Sequence, residues 1–275
     1  MDAVLLGLVA SVTNAVQAVI NKGLTDRFPA RQLIGVLYLL NCAVLLPFAP
    51  WVAPWHLDAE VLLLHAISVA LMAVTALCVW DLFDKGAASA TTTATALSPI
   101  PAASATALLL PGSLHPVQVV AAVVVVGGVL WALQGAFVDI GRRGTVGRVL
   151  GAAIGTGLLT VASRLLADRG VGVVETYVVR TGICAGLFIA LIPPRNVPLS
   201  AAPRLVVRSL LVTISFVAII LGVAAGSPVV VQTLVATTPL FALAIESWQT
   251  RVAPHGRAMA AAGLVTGGVA VMLVG

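Results

Sequence analysis

Residues 87–110 read AASATTTATALSPIPAASATALLL, and the class of the whole chain turns on how that stretch is read. It carries no charge, and it exceeds the ~20 helical residues needed to span ~30 Å of hydrocarbon. Yet it holds five threonines, three serines and two mid-stretch prolines, Pro99 and Pro101. In water such a run is a marginal helix or a loop. In a bilayer it is a soft, hydroxyl-bearing helix with an interrupted backbone, because each proline removes an i→i−4 bond.

The rest of the chain favours the bilayer. Its 275 residues are 60% hydrophobic and only 9% charged, with a mean hydropathy of +1.10; a soluble domain carries about 25% charged residues. Apolar runs recur from end to end, without the ~10-residue alternating segments of a β-barrel. The net charge of +5 comes from Lys and Arg that punctuate the apolar runs rather than cluster, so a nucleic-acid partner is not expected. Cys42, Cys78 and Cys184 fall within apolar runs without ligand spacing, which reads as small buried thiols rather than a metal site. The first apolar run follows Met1-Asp2 without a basic leader or cleavage site, so it is expected to be a retained helix.

The pattern predicts an all-α integral membrane protein with ten transmembrane helices, near 3–21, 32–49, 61–80, 87–110, 117–136, 147–167, 173–193, 205–224, 227–248 and 257–274. Trp51, Trp55, Trp80, Trp131 and Trp248 lie near predicted ends, as interfacial anchors do. Sliding the chain on itself by about 140 residues pairs Gly86 with Gly226, Thr93 with Thr233 and Pro99 with Pro239. The same offset pairs Ala121-Ala122 with Ala261-Ala262, and Gly127-Gly128-Val129 with Gly267-Gly268-Val269. The expected organisation is two five-helix repeats, 1–140 and 141–275, joined near DIGRRGTVGR (139–148).

An odd number of spans per repeat turns the second copy upside down. Loop charge agrees: the loop after the second span has no Lys or Arg, while its counterpart carries Arg195 and Arg204, with Arg208 beside it. Most basic residues, from Lys22, Arg27 and Arg31 to Arg251 and Arg257, fall in or beside odd-numbered loops. The positive-inside rule then places those loops in the cytoplasm and both termini outside.

The closing stretch GSPVVVQTLVATTPLFALAIESWQTRVAPHGRAMAAAGLVTGGVAVMLVG (226–275) joins a hydroxyl-rich span with a central proline to a Gly-rich last span. Gly86 to Leu133 repeats that pattern. The arrangement resembles an EamA-type permease of the drug/metabolite transporter superfamily and extends over essentially the whole chain. It departs from the family pattern after the prolines, where Pro111 and Arg251 stand in the region of a usual Gly-Glu pair. The resemblance implies a site between the halves, lined by the first, third, fourth, sixth, eighth and ninth spans, and both termini in the cytoplasm, against the loop charges.

Candidate site residues follow from the rule that an inverted-repeat transporter binds near the midplane, beside broken helices. Pro99, Pro101 and Pro239 are expected to kink the fourth and ninth spans. Thr91, Thr95 and Ser98 share a helical face, and Thr233 and Thr237 share another with Gln232 beside them; packing against their own backbone is the structural alternative for these hydroxyls. Asn14, Gln17 and Asn21 form an amide stripe on the first span, with Asn14 and Gln17 expected to line a cavity and the interface as the alternative for Asn21; Thr156, Thr160 and Ser163 answer it on the sixth. Arg180 within the seventh span costs at least ~2.5 kcal/mol on insertion scales, so it is expected to hold a carboxylate or phosphate, or to pair with Glu175. Glu246 and His65 are candidates for proton coupling; snorkelling of Glu246, or its pairing with Arg251, and a satisfied core histidine are their alternatives. Asp81, Asp84 and Lys85 read as a solvated cluster, and the GxxxG pairs Gly151/Gly155 and Gly263/Gly267 as close helix contacts.

No Walker loop, GxSxG, CxxC or HExxH occurs in the sequence, so the chain is not expected to be an enzyme, and no cofactor or metal is expected. The leading expectation is a secondary-active permease or exporter that moves a small polar or amphipathic metabolite by alternating access, coupled to protons. A passive channel-like facilitator or cation carrier on the same fold is the alternative. A membrane enzyme or non-transporting subunit is disfavoured, because the polar residues lie scattered at mid-depth. The expected location is a bacterial plasma membrane, with homodimerisation an open alternative.

Overall fold

A computed structural model of the chain describes residues 2–51, 55–85, 92, 95–112, 115–132, 145–194, 197, 199–251 and 256–274. Most of these residues are helical, and no strand occurs among them. The α-helices are α1 (Ala3–Thr25), α2 (Ala30–Leu45), α3 (Ala59–Lys85), α4 (Pro99–Leu109), α5 (Pro116–Ala132), α6 (Val146–Asp168), α7 (Val173–Leu191), α8 (Ala202–Ala225), α9 (Pro228–Val235), α10 (Thr238–Thr250) and α11 (Gly256–Val274). Single 3-10 segments stand at Leu46–Trp51 and Leu199–Ala201.

Helix ends follow from local chemistry. The Asp2 carboxylate accepts from the Val4 N–H (2.9 Å) at the start of α1. The Ser227 hydroxyl accepts from the Val229 N–H at the start of α9, with Pro228 in the first turn, where its missing N–H costs nothing. α6 ends on Gly170 at φ +81°. Gly170 N donates to Ala167 O and Val171 N to Leu166 O; this paired closure needs a left-handed residue, and glycine supplies it without strain.

Seven helical stretches among the described residues are long and apolar enough to cross a membrane: Ala3–Thr25, Ala30–Trp51, Ala59–Asp84, Val146–Asp168, Val173–Leu191, Ala202–Ala225 and Pro228–Gln249. Pro99–Leu109, Pro116–Trp131 and Ala260–Val269 are apolar but shorter. Helix therefore occurs in every stretch predicted to be a span, while length and composition support seven crossings. Leu63, Val74, Ile154, Val207, Ile214 and Leu264 are among the large apolar side chains left exposed, a surface that suits lipid rather than water.

The most extensive helix contacts join the first part of the chain to the second: α1 with α8, α3 with α6, α2 with α7, and α5 with α11. α3 and α6 run antiparallel, tied by Glu60–Arg169 at one end and Asp81–Arg148 at the other. Between the ties, a Cβ on Gly151 would come 2.8 Å from Cys78 Sγ, and one on Gly155 would collide with the Thr75 hydroxyl. That GxxxG pair is thus a close helix contact. Gly263 and Gly267 meet nothing within 4 Å, so their pair makes no such contact. At the α5–α11 crossing Gly128 faces Val265 and Gly268 faces Val125, a reciprocal contact under the 140-residue offset.

The described residues also correct three expectations. Trp80 is 4% exposed and faces the bundle interior, because α3 continues to Lys85 and carries it below the helix end. Arg208, counted with the loop charges, is a buried residue of α8. Asp81 and Asp84 belong to α3 rather than to a solvated loop: Asp81 pairs with Arg148, and Asp84 accepts from Ala30 N (3.0 Å), capping α2.

Candidate functional site

The helix runs around Pro99 and Pro239 are both broken, and in the same way. α4 begins at Pro99 after a turn at Leu97–Ser98, and α10 begins one residue before Pro239 after a turn at Ala236–Thr237. Ile100 N donates to Leu97 O (3.2 Å), and Leu240 N donates to Thr237 O (2.9 Å). These tighter i→i−3 bonds occupy equivalent places under the offset. Pro101 falls within the first turn of α4, where helix tolerates it. Irregular backbone at membrane depth must be buried in protein or line a cavity. Ser98 and Pro99 at the first break and Ala236 to Pro239 at the second are buried, while Leu97 is half-buried, and the adjacent polar side chains close on each other.

Gln232 Oε1 accepts from the Ser98 hydroxyl (2.7 Å), and Gln232 Nε2 donates to Thr160 Oγ1. This group ties the first break to α6 and α9. At the second break, the Ser11 hydroxyl lies 2.9 Å from Thr237 Oγ1 and 3.2 Å from Thr238 Oγ1, tying α1 to α10. Thr233 and Thr237 each also donate to a carbonyl of their own helix. The structure therefore brings Ser98, Thr160 and Gln232 together, and Thr237 with Ser11, as helix-to-helix ties. Thr91 lies outside the described residues.

Beside these ties is a central cavity of about 170 Å³, lined from both parts of the chain. α1 contributes Asn14, Gln17 and Asn21, the whole amide stripe, and Thr95 reaches it from the fourth span. Asn14 Oδ1 accepts from Ser215 Oγ (2.7 Å), while Gln17 Oε1 is buried without a hydrogen-bond partner. Thr156 and Leu159 come from α6, and Val235 and Thr238 from the second break. Trp80, Phe83, Met72 and Val79 of α3 face Phe216, Val212 and Ile219 of α8, so much of the wall is apolar.

Among the described residues, Arg208 of α8 is the cation in that lining and no carboxylate belongs to it. Its Nε donates to Asn21 Oδ1 (3.1 Å) and one terminal nitrogen to Asn41 Oδ1 (3.3 Å). Its guanidinium carbon stands 5.5 Å from the Trp80 ring centroid, within cation–π range. Asn41, Tyr38, Tyr177 and Thr181 also line the cavity, so α2 and α7 join the spans expected there. A signal for Asn41 was present in the sequence: a single amide in an apolar run has to find a partner.

Arg180 lies outside the cavity lining. It is 1% exposed, donating through Nε to Ser68 Oγ (3.0 Å) and through one terminal nitrogen to Ser163 Oγ (2.7 Å). The expected Arg180–Glu175 pair does not form; Glu175 accepts from His56 N (2.9 Å), and its other oxygen lies 3.0 Å from His56 Nδ1. His65 Nε2 stands 3.9 Å from Glu175 Oε1. His65 is buried and likewise outside the cavity lining, as are Ser98, Thr160, Gln232, Thr233 and Thr237. Glu246 is half-buried on α10, also away from it.

A multi-pass helical membrane protein with paired broken helices beside an internal cavity defines a class, that of membrane transport proteins. The family model described as the EamA-like transporter family matches residues 1–134 and again 146–274, so the chain belongs to that family. In all, 25 chains of solved structures match. One, a crystal structure whose description names no function, is 19% identical, covers 99% of this chain and 96% of its own, and superposes with a TM-score of 0.77. That likeness shows a shared fold. No curated protein matches the chain significantly.

Proposed function

We propose that the chain is a secondary transporter that carries a small polar or amphipathic molecule across the membrane by exposing the central cavity to its two sides in turn. In this reading ten spans form two inverted repeats, 1–140 and 141–275, that rock against each other. The observation that carries it is the cavity itself, lined from both parts of the chain and flanked by the broken helices at Pro99 and Pro239. The double family match and the reciprocal Gly128–Val265 and Gly268–Val125 contacts support the repeat.

Proton coupling is drawn through His65 in this reading. Glu175 lies between two imidazoles, with His56 Nδ1 at 3.0 Å and His65 Nε2 at 3.9 Å, a line of exchangeable groups leading from the 55–58 segment to a buried histidine. The test is uptake and counterflow in proteoliposomes with and without an imposed pH gradient. Alternating access predicts saturable counterflow, and coupling predicts gradient-driven accumulation that His65→Gln removes. Linear, non-saturating flux would favour the facilitator.

A further inference from the structure

We infer that the central cavity recognises a small organic carboxylate with an apolar, ring-sized body, and that Arg208 is the residue that receives the carboxylate. This rests on the transport reading for its biological sense, although the binding it predicts is measurable without transport. The starting observation is a charge without a counter-charge. Arg208 is 5% exposed, lines the cavity and has only neutral amide oxygens, Asn21 Oδ1 and Asn41 Oδ1, as hydrogen-bond acceptors. Among the described residues no acidic side chain lines the cavity and no ion pair of Arg208 occurs.

A guanidinium inside the bilayer is costly and marks a functional site unless it is paired. Arg148 and Arg169 end on carboxylates, and Arg164 is held by Asp168 and the carbonyls that end α8; Arg180 is also buried with only hydroxyl oxygens as acceptors, but it lies outside the cavity lining. Arg208 is instead pinned in place. Two amides fix its plane, and Trp80 covers one face at 5.5 Å. A guanidinium fixed in this way has its side-chain entropy already spent, and its planar fork matches a carboxylate better than an ammonium would.

The rest of the wall sets the body of the ligand. Trp80, Phe83, Met72 and Phe216 supply aromatic and apolar surface. A cavity of about 170 Å³ is close in size to a ~150 Å³ apolar cavity that takes up benzene, so one ring with one carboxylate fills it. An organic cation would meet Arg208 with like charge.

The test uses benzoate, benzamide and benzylamine as shape-matched anionic, neutral and cationic probes, with binding read by thermal shift and by tryptophan emission on the purified full chain. Benzoate is expected to stabilise the protein and perturb the emission at concentrations at least tenfold below those needed for the other two, about 1.4 kcal/mol. Arg208→Gln is expected to remove that preference, and Arg208→Lys to retain part of it. Equal effects of benzoate and benzamide, a benzylamine preference, or no benzoate effect would overturn the inference. So would an unchanged benzoate preference in Arg208→Gln. If Arg208→Gln does not fold, the three probes on the unaltered chain still decide the question. Charge-selective binding without proteoliposome flux would refute the transporter reading and leave the carboxylate site standing; saturable flux of a cation with no benzoate binding would do the reverse.

Discussion

Gly157 offers the sharpest test of how the break before Pro99 is held. An alanine Cβ there would stand 2.6 Å from Ser98 O, 2.8 Å from Pro101 Cγ and 2.9 Å from Ala102 N. Two of these are backbone atoms, and they are bonded to each other, since Ala102 N donates to Ser98 O at 3.1 Å. The obstruction therefore cannot swing aside as a flexible side chain would. Overpacking a tight site costs about 1–3 kcal/mol, while replacing a mid-helix glycine by alanine returns roughly 0.5–1 kcal/mol. With backbone on the far side the clash should win, leaving Gly157→Ala about 1–2 kcal/mol less stable. At about 2–4 °C per kcal/mol for a chain of this order, the loss is readable as a lower melting temperature in detergent. Gly186→Ala is the control, because nothing lies within 4 Å of a Cβ there; it should melt at or above the parent. A Gly157→Ala protein that melts as high as Gly186→Ala would refute the close approach of α6 to the break.

Gln232→Leu should lower stability by about 1–3 kcal/mol, the cost of leaving buried partners unsatisfied, and a double-mutant cycle with Ser98→Ala on thermal unfolding should show non-additivity. Arg164→Gln frees the carbonyls of Val223, Ala224 and Gly226, so amide exchange should rise at the α8–α9 junction while the α5–α11 crossing stays protected. In a background lacking Cys42 and Cys184, a disulfide between Gly151→Cys and the native Cys78, whose Cβ positions would lie 3.9 Å apart and so within disulfide range, should arrest proteoliposome flux until reduced, and undiminished flux in the crosslinked state would count against rocking along the α3–α6 seam.

Much of the helical layout was legible because bilayer crossing demands long apolar runs, and the proline positions marked where those runs break. The amide stripe Asn14–Gln17–Asn21 was legible for the same periodic reason, and all three line the cavity. Arg208 and Trp80 were not. Each lies one or two turns inside a helix end, where loop cation and buried cation, or interfacial and interior tryptophan, look identical in sequence. Only the packing of α3, α2 and α1 around α8 turns them inward. Arg180 is the converse: it stands well inside an apolar run, which suggested a ligand contact, yet Ser68 and Ser163 occupy two of its nitrogens within the protein. A hydroxyl partner on a different helix leaves no periodic trace.

The matched features and the unmatched ones divide along a physical line. What recurs under the 140-residue offset is backbone and packing: the breaks before Pro99 and Pro239, and the Gly128 and Gly268 contacts. Those positions answer to helix geometry, which is the same in both parts of the chain. What does not recur is the cavity's polar chemistry. α1 supplies three amides where α6 supplies Thr156 and Leu159, and α8 supplies a guanidinium where α3 supplies the Trp80 ring beneath it. Because Arg208 is the cation in the described lining, a carboxylate held as inferred above would have a single favoured direction, its charge at Arg208 beside the Trp80 ring; reversing it would leave the guanidinium facing the apolar body. Arg208 lies on α8, in the second part of the chain, while Asn21 and Asn41 lie on α1 and α2, in the first, so if the two parts rock against each other the bonds that fix the guanidinium span the moving boundary. The hold on a bound carboxylate would then change with the movement, which makes the α1–α8 contact, like the α3–α6 seam, a boundary between the two parts where movement is read.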